Sequence, residues 1–151
     1  MRATWLTISS IVIGVLALSA TPARAALSAS LTIDPVATRT TDRLVVIVTG
    51  SYTCGPVPQP QPNEGSNFAD IFVSVEQASG RSIAQGENGV FAVCDGNPQT
   101  FEISIHSENI PWHGGQARAI GALFVQQCDE FFNCESARSD VDVQIKLQGG
   151  K

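Results

Sequence analysis

Period-two alternation recurs along this chain from residue 27 to residue 147, and no segment sustains a helical period. Successive side chains of a strand point to opposite faces of a sheet, so each alternating run reads as a half-buried strand. Leu27, Ala29, Leu31 and Ile33 alternate with Ser28, Ser30, Thr32 and Asp34, and Pro35 ends the run. In residues 44–54, Leu44, Val46, Val48, Tyr52 and Cys54 share one face while Thr49, Ser51 and Thr53 share the other. Ile71, Val73 and Val75 face away from Asp70, Ser74 and Glu76, and Ser79-Gly80 supplies a turn. Residues 82–85 alternate weakly, and 86–89 read as a break before a strand at 90–94. Asp95-Gly96-Asn97-Pro98 is a dense turn signal. Phe101, Ile103 and Ile105 then alternate with Glu102, Ser104 and His106; residues 115–128 form a long strand, and Val141, Val143, Ile145 and Leu147 alternate in the last.

Seven such strands with polar outer faces predict an all-β chain, an immunoglobulin-like antiparallel β-sandwich of about seven strands stapled by two disulfides. A closed barrel has the same periodicity and stays open as the alternative. There is no internal repeat, and the one low-complexity stretch, Pro-rich residues 55–62, reads as an extended loop.

The first 25 residues read as a secretory leader: Arg2, an apolar run at 11–18, and Ala23-Arg24-Ala25 as a small-x-small cleavage site. Thr7, Ser9, Ser10 and the polar residues from Ser19 confine the apolar run below the roughly 20 residues of a spanning helix. The expectation is one secreted β-sandwich domain, residues 26–151, with no membrane attachment after cleavage. Loss of the leader removes Arg2 and Arg24 and leaves 7 basic against 14 acidic residues, a net charge of −7. An acidic chain without a Lys/Arg cluster repels phosphate backbones, so nucleic acid is not an expected partner.

Export makes disulfides the expected state of the four cysteines, and the absence of a CxxC pair argues against zinc. If consecutive strands reverse direction, Cys54, Cys94 and Cys128 each close a strand at the same end, with Cys134 a few residues on. Cys54 with Cys94 and Cys128 with Cys134 is then the expected pairing, although the crossed pairings stay geometrically open. In the chain-entropy account the first loop, 40 positions long, stabilises by about 4 kcal/mol and the second by about 2 kcal/mol.

Gly50-Ser51-Tyr52-Thr53-Cys54, Val73-Ser74-Val75-Glu76-Gln77, Cys94-Asp95-Gly96, the strand opening Gly115-Gln116-Ala117-Arg118-Ala119 and the Cys128/Cys134 pair resemble small secreted actinobacterial proteins of unknown function with an immunoglobulin-like domain. The resemblance covers about residues 43–147 and implies no activity. More distantly, the chain is similar to the neocarzinostatin-type chromoprotein apoproteins. That similarity implies a seven-stranded sandwich with two disulfides near a ligand cleft, one of them joining cysteines close together late in the chain. Cys54 and Cys94 lie much farther apart than that family's first pair, and none of its binding residues is carried over.

Chemistry is sparse. There is no GxSxG elbow and no local Ser/His pairing for a nucleophilic hydrolase. His106 and His113, with Glu108, lack the fixed spacing of a metal site and fall at the end opposite the cysteines. Asp129-Glu130 and Asp140/Asp142 lack a calcium-loop pattern. No catalytic residue, metal ligand or cofactor is therefore expected, and Trp112 is assigned to core packing. Phe131 and Phe132 are the candidate binding loop, because they are adjacent aromatics among the five residues between Cys128 and Cys134 and cannot both turn inward.

The expected function is a secreted non-catalytic binding module for an extracellular protein or a small molecule, working through its cysteine-rich end. A carrier of a small apolar ligand between the sheets is the alternative, with room left by Ala117, Ala119 and Gly121; a purely structural extracellular protein is another. The intact mass of secreted protein should correspond to a chain beginning at Ala26 with no alkylatable thiol. A retained leader or a reactive thiol under denaturing, non-reducing conditions would contradict the reading.

Overall fold

The computed structural model describes residues 26–55, 67–129 and 131–149. The leader, most of the Pro-rich stretch and Glu130 lie outside them. The described chain is all β, in eight strands: β1 Ala29–Ile33, β2 Val36–Arg39, β3 Val45–Cys54, β4 Phe68–Ser79, β5 Ser82–Phe91, β6 Gln99–His106, β7 Gly115–Cys128 and β8 Cys134–Gly149. They form one mixed sheet in the order β1-β3-β2-β8-β7-β4-β5, with β6 also paired to β3.

Two sequence expectations are corrected here. The extra strand is β2, and it runs parallel to β8 (Val36 against Lys146, Arg39 against Gly149), so the sheet is mixed rather than antiparallel. Pro35 is the physical cause. Proline has no N–H to give a ladder, so the chain leaves its register with β3 after Asp34, whose N–H donates to the Thr49 carbonyl at 2.9 Å. The Pro35 carbonyl instead accepts from Lys146 N at 2.9 Å. Second, β5 is unbroken through Gly86 and Gly89, paired residue for residue with β4 from Ser82 to Phe91. Backbone pairing along the whole of β4 overrides the weak strand propensity of glycine there.

Since β6 occupies one edge of β3 along Val45–Tyr52, β1 and β2 share the other. The sheet bends back through β2, which pairs with both β3 and β8, and its inward side chains make one core that includes Val46, Val48, Ile71, Ile103, Leu123 and Ile145. The path's outer edges then meet. Asn88 Nδ2 donates to the Ser104 carbonyl and Asn109 Nδ2 to the Ile83 carbonyl, both at 2.8 Å. Buried Gly86 sits where a Cβ would run into the His106 carbonyl oxygen. The β5 and β6 edges thus lie side by side, bridged by these side chains and by Glu108 N donating to the Gln85 carbonyl at 2.9 Å instead of by a ladder.

Each end of the core has its own closure. At one end Cys54 and Cys94, both buried, are bridged with Cα atoms 4.9 Å apart, and Cys128 is bridged to Cys134 across the β7–β8 hairpin at 4.0 Å. The pairing is the one the strand directions imply. At the other end Trp112 is fully buried; its backbone N–H donates to the Arg43 carbonyl at 2.9 Å and its backbone carbonyl accepts from Arg39 Nη1 at 3.1 Å. Buried Gln77 completes the closure, donating through Nε2 to the His113 and Gln116 carbonyls and accepting from His113 N.

The indole Nε1 of Trp112 is buried without a hydrogen-bond partner. Trp112→Ala should therefore cost about 3–5 kcal/mol in urea unfolding. Trp112→Phe should cost under about 2 kcal/mol, because it also removes an unpartnered donor that costs about 1–3 kcal/mol. Equal losses for the two variants would show that the indole nitrogen is satisfied in the folded protein.

Candidate binding face

The β7–β8 hairpin tip is built around the Asp129 carboxylate. Its Oδ1 accepts from the N–H groups of Phe131 and Asn133, both at 2.9 Å, and its Oδ2 from Asn133 Nδ2 at 3.0 Å. With the backbone turned toward Asp129, Phe132 takes φ 60°, a left-handed conformation uncommon for a bulky residue. The rings point outward: Phe131 is 75% and Phe132 82% exposed. A hollow of about 80 Å³ lies beside Asp129, Asn133 and Glu135, well below the roughly 300 Å³ at which pockets begin to hold small molecules.

A larger aromatic surface lies next to this tip, on the outer face of β4, β5 and β7. Residues opposite each other across an antiparallel ladder put their side chains on the same face, with Cβ atoms about 4.5–5.5 Å apart. The register sets Asp70 of β4 between Phe91 of β5 and Phe124 of β7, and Phe124 in turn opposite Arg138 of β8. One row farther from the cysteines, Phe72 is opposite Gly89 and Ala122. A Cβ on Gly89 would come within 2.9 Å of the Phe72 ring, so the ring lies over that glycine. Phe68 contacts Phe124 with ring centroids 5.5 Å apart. Phe68, Phe72 and Phe91 are 37%, 57% and 87% exposed.

Charge frames the face. Arg118 Nε and Nη2 reach Asp142 at 2.9 and 2.6 Å, with Glu76 3.9 Å from Nη1, and Arg138 Nε lies 2.9 Å from both oxygens of Asp140. Hydrogen bonding to Arg118 holds the Asp142 carboxyl below its ordinary value. All these groups are exposed, and such pairs contribute little to stability. Asp70 differs: partial burial among its neighbours pushes its carboxyl above the ordinary value.

The structure keeps other candidate groups apart. His106 ends β6 and His113 lies in the loop before β7, at the end opposite the disulfides, and among the described residues no cluster of His, Cys, Asp and Glu is arranged to hold a metal ion. Asp140 and Asp142 point outward but are engaged by arginines. The aromatic face was legible only in part: alternation about Ile71 and Val73 puts Asp70 and Phe72 on the opposite face, whereas the expected break at 86–89 conceals the rest. Comparison with protein-family models and with curated proteins finds no match.

The raised Asp70 carboxyl has a measurable consequence. The folded chain holds that proton more tightly than the unfolded chain, so stability falls as pH rises from the ordinary value of 3.8 through the raised one. Asp70→Asn should melt above the parent at neutral pH, with the difference closing below about pH 4. A difference independent of pH would show that Asp70 is as well solvated folded as unfolded.

Proposed function

We propose that this protein is a secreted, non-catalytic binding module of immunoglobulin-like sandwich architecture. Its working face is the outer surface of β4, β5 and β7, running to Phe131 and Phe132 at the cysteine end. The architectural part rests on strand order: β1, β3 and β6 on one side of the core, β8, β7, β4 and β5 on the other, and β2 passing between them. Secretion is supported by the leader pattern and by two disulfides with no free cysteine among the described residues.

One observation carries the binding role: Phe68, Phe72, Phe91 and Phe124 gather on the solvent side of one sheet, where alternation normally places polar residues. Contiguous exposed apolar surface on a small protein marks a contact site, and aromatic rings on rigid strands lose little entropy on binding. The internal-carrier alternative needs room beside Ala117, Ala119 and Gly121. At Gly121 that room is taken by Ile33 and Leu31, whose side chains would lie 2.9 and 3.1 Å from an added Cβ. A ligand therefore fits better outside the sheet than within it.

The test is a set of small aromatic fragments followed by amide chemical shifts. Shift changes should centre on residues 68–72, 89–91 and 122–124, and Phe72→Ser should abolish them while costing under about 1 kcal/mol of stability. Added changes at 131 and 132 would place the hairpin tip within the site. A response centred elsewhere, or none, would overturn the proposal.

A further inference from the structure

We infer that the aromatic face is self-complementary and that its partner is a second copy of this chain; the inference rests on the binding-face reading above. Across the row nearest the disulfides the order is Asp70 on β4, Phe124 on β7 and Arg138 on β8. An aromatic ring thus stands midway between one acid and one base. Two copies meeting face to face are related by a twofold axis in the plane of contact, as in an isologous dimer. When that axis runs along β7, β4 of each copy lies over β8 of the other. Asp70 then faces Arg138 of the second copy, and the reciprocal pair forms on the other side. Phe124, Ala122 and Ile120, successive outward residues of β7, lie on the axis and meet their own counterparts.

The charges around this arrangement are compatible with it. Asp70 is outward-facing and has no salt bridge among the described residues. Arg138 engages Asp140 with Nε and one oxygen with Nη2, at exposed positions, and can turn toward a second carboxylate. Phe72, facing β8 of the other copy, would cover the Arg138–Asp140 pair. The same axis brings Arg118 toward its own counterpart, but each Arg118 is already held between Glu76 and Asp142. Contact is therefore concentrated in the half of the face nearer the disulfides. About this axis β4, β7 and β8 of each copy overlap, and three strands by four outward rows cover about 400 Å² per copy, below the range of a stable specific interface. The association is expected to be weak and concentration-dependent.

Sedimentation velocity over a concentration series, with native mass spectrometry, tests this. The parent should pass from monomer to dimer as concentration rises. Asp70→Arg puts two arginines opposite each other and Arg138→Asp two aspartates, so each variant alone should associate about 100-fold more weakly. Mixed in equal amounts they should form a heterodimer, since each then supplies the charge the other lacks. Ile120→Glu, on the axis, should also dissociate the dimer and serves if either charge variant fails to fold. A parent that stays monomeric at millimolar concentration, a dimer that persists in every variant, or a mixture that does not associate would overturn the inference. If that monomeric protein still gathers aromatic fragments at Phe72 and Phe124, the face binds something other than itself; if it does not, the binding-face reading fails as well.

Discussion

The architecture depends on a four-residue strand, Val36–Arg39, that pairs with β8 along its whole length and with β3 through Thr38 and Arg39. β2 is antiparallel to β3 on one side and parallel to β8 on the other, and it is the ladder that joins the β1–β3–β6 half to the β8–β7–β4–β5 half. Without it the two halves would be held together by core packing, the Cys54–Cys94 disulfide and the hydrogen bonds between the β5 and β6 edges. Pro35 makes the switch possible by ending the first ladder, and Arg39 carries it onward by donating to the Trp112 carbonyl. A proline at a strand junction therefore both ends the first strand and sets the topology of the next.

The two ends of the core are closed by different means, with different consequences. The Trp112 end is sealed by one large ring and by Gln77, whose amide bonds replace those a strand would make. The cysteine end is sealed covalently, and Tyr52 reinforces it by accepting through its hydroxyl from Val93 N at 3.0 Å. A covalently fixed end tolerates an unusual backbone nearby, as at Phe132, whose left-handed conformation is held by the Asp129 turn inside the Cys128–Cys134 loop. The rings projecting from that turn are displayed at low entropic cost to any contact they make.

The outer face of β4, β5 and β7 combines two tendencies that usually exclude each other on one surface. Near the Trp112 end it is an ordinary solvated face, with Glu76, Arg118 and Asp142 in exposed ion pairs. Toward the disulfides those charges give way to phenylalanines, with Asp70 partly desolvated among them. A carboxylate in such a position weakens the isolated fold at neutral pH, and a cationic partner would relieve that cost.

Period two by itself determined that the described chain is β, which residues of 46–54, 71–76, 101–106 and 115–128 face inward, and, through strand direction, that the four cysteines gather at one end, leaving their pairing to the tertiary structure. These follow from local pattern, because a strand's inner and outer faces are written residue by residue. Trp112 in the core and an exposed ring in the Phe131–Phe132 pair were legible too: one large ring needs a core, and a five-residue loop has no interior for two; that both rings are exposed only the structure shows. Tertiary structure alone decided the parallel pairing of β2 with β8, the continuity of β5 through Gly86 and Gly89, and the meeting of Phe68, Phe72, Phe91 and Phe124 on one surface. Each of these depends on register between strands distant in sequence. Alternation says which side of its own strand a residue occupies, but only pairing says which residues of other strands stand beside it.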